Sequence, residues 1–130
     1  MKEILNEELF EGFGMIAYAV AKADGKVQPH EKREFFDIME RFYKKISPNF
    51  LSSQISFYLN KEYDEDLNYA YETGLNKLKK SIKDITPELV QMFKDTLLEI
   101  AKAFPPVVPE EKEILQRFDK DIQDILNAKK

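Results

Sequence analysis

A twelve-residue stretch occurs twice in this chain. Residues 21–32 read A-K-A-D-G-K-V-Q-P-H-E-K, residues 101–112 read A-K-A-F-P-P-V-V-P-E-E-K, and seven of the twelve aligned positions are identical. The offset continues on both sides. Leu9, Phe13, Ala17 and Val20 align with Leu89, Phe93, Leu97 and Ile100, and Phe35, Ile38 and Phe42 align with Leu115, Phe118 and Ile122. Such a repeat restricts the chain to an architecture that uses one supersecondary unit twice. Each unit reads as helix–loop–helix. The units cover about 3–46 and 86–127, joined by helices over 48–84, in a single domain of residues 1–130. The expected fold is all-α, a compact bundle of five to seven helices with two pseudo-repeated units.

The helices follow from apolar spacing and from punctuation. Leu5, Leu9, Phe13, Ile16 and Val20 recur at helical intervals, and Ala17 and Ala21 widen the stripe. Gly12 and Gly14 inside that stripe call for a break or a close helix crossing. Gly25 is the left-handed residue expected just past the helix end. Pro29 and Pro109 suit first helical turns, where the missing N–H is not needed. Phe35, Ile38, Met39, Phe42 and Ile46 form the inward stripe of the second helix. Ser47-Pro48 opens the third, with Leu51, Ile55, Tyr58 and Leu59 expected inward. Asp64 to Asp66 opens the fourth, with Leu67, Tyr71, Gly74, Leu75, Leu78 and Ile82 on one face and Lys77, Lys79, Lys80 and Lys83 on its solvated face. Thr86-Pro87-Glu88 caps the fifth helix, and Pro105-Pro106 ends it. The last is buried through Ile114, Leu115, Phe118, Ile122 and Ile125. Tyr18, Phe36 and Tyr43 fall off these stripes and are candidates for a partner surface.

Charge and composition exclude several functions. A net charge of −4 lacks the basic footprint of a nucleic-acid binder. With no cysteine, there is neither thiolate chemistry nor a disulfide. The acidic N-terminal segment lacks a signal-peptide design, and no apolar run is long enough to span a bilayer, so a cytoplasmic location is expected. Catalysis needs a nucleophile with its base, or an acid–base pair in a pocket. The single histidine, His30, lies at a polar helix start and reads as a surface residue, so an enzyme is not expected.

The first loop carries half of an EF-hand pattern, with Asp24, Gly25, Val27 and Glu31 at loop positions five, six, eight and twelve. Val20 and Lys22 would then occupy ligand positions, which rejects a working EF-hand. The pattern A-x-A-D-G-x-V-x-x-x-E between amphipathic helices, repeated near the C-terminus, resembles the TerB-like family associated with tellurite resistance. The likeness runs from about Leu5 to Ile125. It implies an all-helical domain of two pseudo-repeated halves, linked to bacterial stress response and to larger, membrane-associated assemblies. It also implies divalent-cation binding through paired acidic loops. The family's acids map onto Asp24, Glu31 and Glu111, with Glu110 beside the last. Phe104 and Pro105 stand where the second loop would carry aspartate and glycine.

Asp24, Glu31 and Glu111 are therefore the candidate metal ligands, and Gly25, Pro29, Pro105 and Pro109 the structural loop residues. Three carboxylates are few for calcium, which takes six to eight oxygens. No resident cofactor is expected beyond a weakly held divalent cation such as calcium. Asp24 can instead accept backbone N–H groups near Val27, and Glu31 and Glu111 are good helix-start residues without any ligand. Two functions remain. One is a non-enzymatic adaptor with protein partners, no nucleic acid, no membrane insertion and at most peripheral membrane association through a complex. The alternative is a cation-binding or cation-sensing module.

Overall fold

The computed structural model describes residues 5–129, and these form helices and turns with no strand. Six α-helices follow one another: α1 Glu7–Lys22, α2 Pro29–Ile38, α3 Phe50–Glu62, α4 Leu67–Lys80, α5 Pro87–Lys102 and α6 Pro109–Ala128. A π-helical turn, Met39–Tyr43, continues α2, and a 3-10 turn, Ile82–Asp84, precedes α5. The first helix was expected to begin at residues 2–3, which lie outside the described residues. Leu5 is 72% exposed, so the inward stripe begins at Leu9. Asn6 caps α1 by accepting from Leu9 N at 3.0 Å.

α1 is the axis of the bundle. From Gly12 to Ala21 every residue is buried, as expected of a helix hydrophobic all round and enclosed by neighbours. It packs most widely on α3 and α4 and also touches α2, α5 and α6. The glycines permit this without any break in the helix. A Cβ on Gly12 would stand 2.7 Å from the carbonyl oxygen of Gly74, and one on Gly14 would stand 2.2 Å from that of Ser53. Close crossing is their role.

That crossing inverts α3. Leu51, Ile55, Tyr58 and Leu59, expected inward, are 45–58% exposed, while Phe50, Ser53, Ser56 and Phe57 face the core. Only small residues fit against Gly14. Ser53 Oγ donates to Phe10 O at 2.5 Å and Ser56 Oγ to Glu11 O at 2.8 Å, so the polar serines are satisfied inside. Ser47 and Pro48 also lie before the helix rather than opening it. Ser47 Oγ accepts from Asn49 N at 3.0 Å in the preceding turn.

The π turn makes the second correction. A stripe of period 3.6 places Phe42 inward, but the wider turn adds a residue to the register. Phe42 is consequently 51% exposed and Tyr43 is 1% exposed. Tyr43 shares a 2.8 Å hydrogen bond with Thr96 on α5. Tyr18 is buried as well, donating to Glu65 O at 2.6 Å, and Phe36 packs partly buried on Phe35 and Phe57. None of the three supplies an open partner surface by itself.

Other expectations hold. Asp66 caps α4 and Thr86 caps α5 through Tyr69 N and Leu89 N. Phe13, Phe93 and Phe118 are fully buried in one continuous core. Phe13 and Phe93 are counterparts in the repeat, and their rings stack at 4.0 Å between centroids and 14° between planes.

Candidate functional site

The two loops fold by different local means. In the first, α1 ends at Lys22 and Gly25 takes φ +114°, a conformation open to glycine at little cost. Gly25 N donates to Lys22 O at 2.8 Å, closing the turn. Asp24 Oδ1 accepts from Lys26 N at 3.2 Å, so the aspartate supports its own loop in the manner expected of a turn residue. In the second, Phe104 follows α5 and Pro105-Pro106, joined by a cis bond, carries the reversal. Pro29 and Pro109 each stand at the first position of their helices.

Both loops then place a glutamate at the same spot. Glu31 Oε1 accepts from Gln28 N at 3.0 Å, and Glu111 Oε1 accepts from Val108 N at 3.3 Å. Each carboxylate reaches back to the residue before its helix, the glutamate half of a capping box. Val108 has no side-chain acceptor to return the bond. The sequence suggested good helix-start residues on a polar end. The structure buries them, with Glu31 0% and Glu111 1% exposed.

The two glutamates are repeat counterparts, like Phe13 and Phe93, and they too come together. Glu31 Oε2 and Glu111 Oε2 are buried without a hydrogen-bond donor. Two ionised carboxylates cannot satisfy one another, because both only accept. A proton on Glu31 resolves the conflict, making Glu31 donor and Glu111 acceptor. The electrostatics have that sense. Burial pushes Glu31 up to about 8, opposed by the Gln28 N–H and reinforced by the charges of Glu111 and Asp24 and by the hydrogen bond to Glu111. Burial also raises Glu111, with the Val108 N–H pulling back, the charge of Asp24 pushing further and the bond from Glu31 lowering it.

Asp24 therefore acts on the pair through its field. Among the described residues, no three His, Cys, Asp or Glu side chains are gathered into a metal-holding group. Glu110 is exposed beside Glu111. Phe104, aligned with Asp24 of the first loop, stacks on His30 at the start of α2 at 6.2 Å between ring centroids. An aromatic contact thus joins the second loop to the start of α2. The sequence signal for the glutamate pair was the repeat itself, which places equivalent residues together if the units are related by a two-fold rotation.

Comparison with protein-family models, with curated proteins and with solved structures found no match. No helix among the described residues is long and apolar enough to cross a membrane.

Proposed function

We propose that the chain is a non-enzymatic TerB-like helical module that binds a protein partner within a larger bacterial stress-response assembly. The observation that carries the interaction role is the outward face of α3. Leu51, Ile55 and Leu59 stand four residues apart along one exposed stripe, with Tyr58 beside it. Scattered exposed apolar residues need no explanation, but Leu51, Ile55 and Leu59 lined up on one exposed helix face present a contiguous patch. A stripe at i, i+4 and i+8 is the pattern a helical or grooved partner reads. The assignment to a stress-response assembly, and any part in tellurite resistance, rest on the likeness of the two loops to that family. A cytoplasmic site of action goes with that reading.

The test is cross-linking in cells producing the wild-type chain or a Leu51→Asp/Ile55→Asp variant at matched levels. Partner cross-links should concentrate on residues 51–62 and disappear in the variant, which should keep its helical circular dichroism. Cross-links elsewhere that persist in the variant would contradict the assignment. So would a concentration-dependent homodimer as the only species using this face.

The buried, donor-less Oε2 atoms favour a second reading, a divalent cation held by Glu31 and Glu111 with Asp24 nearby. A cation would offset the repulsion that the shared proton otherwise relieves. Calcium or manganese should then raise the melting temperature at pH 8, and Asp24→Asn should remove the rise. An unchanged rise in both Asp24→Asn and Glu31→Gln would place the ion elsewhere.

A further inference from the structure

The π turn opens a groove that the loop site and the α3 face do not involve. It lies between the α2–π segment and α5 and has a volume of about 430 Å³. Ile38, Tyr43 and Met92 supply its apolar floor, and Glu34, Asp95 and Glu99 stand around it. The one cation among the described residues that line it is Arg41, already engaged by Asp37 at 2.6 Å and lying over the Phe42 ring at 5.0 Å. Among the described residues Glu34, Asp95 and Glu99 have no ion-pair partner, and Asp95 is bonded only by the neutral Gln91 amide at 2.9 Å. The groove is therefore apolar below and uncompensated negative above.

The π turn builds this shape. A continuous α-helix would keep Phe42 in the core and leave Tyr43 outside; the added residue exchanges them. Phe42 becomes an exposed groove wall, and the bond from Tyr43 to Thr96 fixes the wall to α5. π turns recur at functional sites, where they re-aim side chains. The counterpart segment in α6 has no such turn, and Ile122, aligned with Phe42, is fully buried there. The π turn belongs to one half of the repeat, and the groove forms where that half meets α5 of the other.

We propose that this groove docks a basic amphipathic helix of a partner protein. One or two aliphatic side chains would fill the Ile38–Met92 floor against Phe42. Lysine or arginine side chains would meet Glu34, Asp95 and Glu99. Charge complementarity selects this occupant over an acidic or uncharged segment, and the volume suits one or two large side chains. The inference rests on the reading of the chain as an interaction module but uses a different surface from α3.

The experiment is selection of a random peptide library on the immobilised full-length chain, followed by NMR mapping with the enriched peptides on 15N-labelled protein. Enriched peptides should combine Lys or Arg with Leu, Ile or Phe at helical spacing and should shift residues 34–43 and 92–99. Phe42→Ala and Glu99→Lys, both surface changes, should each weaken binding by about tenfold and leave the circular dichroism spectrum unchanged. Added salt should weaken wild-type binding. Enrichment of peptides without basic residues, or no enrichment, would overturn the proposal. Shifts confined to α3 would overturn it while supporting the α3 interface; groove binding with an inert α3 face would do the reverse.

Discussion

Glu31 is at once a helix cap and a buried carboxyl group set against a second one. Its cap to Gln28 N is an ordinary helix-start role, but the repeat brings Glu111 against it, away from water. With its affinity for a proton raised to about 8 from 4.5, Glu31 is protonated in the fold and ionised in the unfolded chain across that window. The folded state then binds more protons, so stability is fully present below about pH 4.5 and falls as pH rises towards 8. The slope is at most about 1.4 kcal/mol per pH unit for one proton. Urea denaturation at pH 5 and pH 8.5 should show the loss in wild type and a much smaller one in Glu31→Gln, whose amide can donate to Glu111 permanently. A wild type equally stable at both values would contradict the shared proton. At the same scale, Phe93→Ala removes the ring stacked on Phe13 and should cost about 3–5 kcal/mol in chemical denaturation. Phe42→Ala, at an exposed ring, should cost under about 1 kcal/mol.

At the level of elements, helices and caps were legible because proline, glycine and cap residues act locally. Pro29, Gly25, Asp66, Thr86 and Pro109 all stand at helix ends where the sequence places them. The orientation of α3 was not legible. Hydrophobicity alone sends Leu51, Ile55 and Leu59 inward, but the face is decided by the space left beside Gly14, a tertiary constraint. The π turn escaped for a related reason, since one added residue changes every position after it and no composition signal marks it. Gly14→Ala tests this directly. Its Cβ would fall 2.1 Å from Ser56 Oγ and 2.2 Å from Ser53 O, so α1 and α3 must separate at a cost of about 2–3 kcal/mol. Thermal unfolding of Gly14→Ala and Gly14→Ala/Ser56→Gly should both be lowered, because the backbone of Ser53 remains in the way. Full recovery in the double variant would show that only the side chain sets the crossing.

Over the whole molecule, two helix–loop–helix units meet through their own counterparts, Phe13 with Phe93 inside the core and Glu31 with Glu111 between the loops. The repeat made the first contact readable as shared burial, and it named the acids of the second. It gave no warning that these acids would be buried or would need a proton, because burial at that point depends on both loops closing together. The units have also diverged. Phe104 stands where the first unit has Asp24, and the first unit carries a π turn that the second lacks. The shared carboxyl pair is tested most directly by following the side-chain carboxyl 13C shifts of Glu31 and Glu111 from pH 3 to pH 10. The paired arrangement predicts a main Glu31 transition near 8, with Glu111 responding in the same range because it accepts the proton that Glu31 carries. Two independent transitions near 4.5 would contradict it.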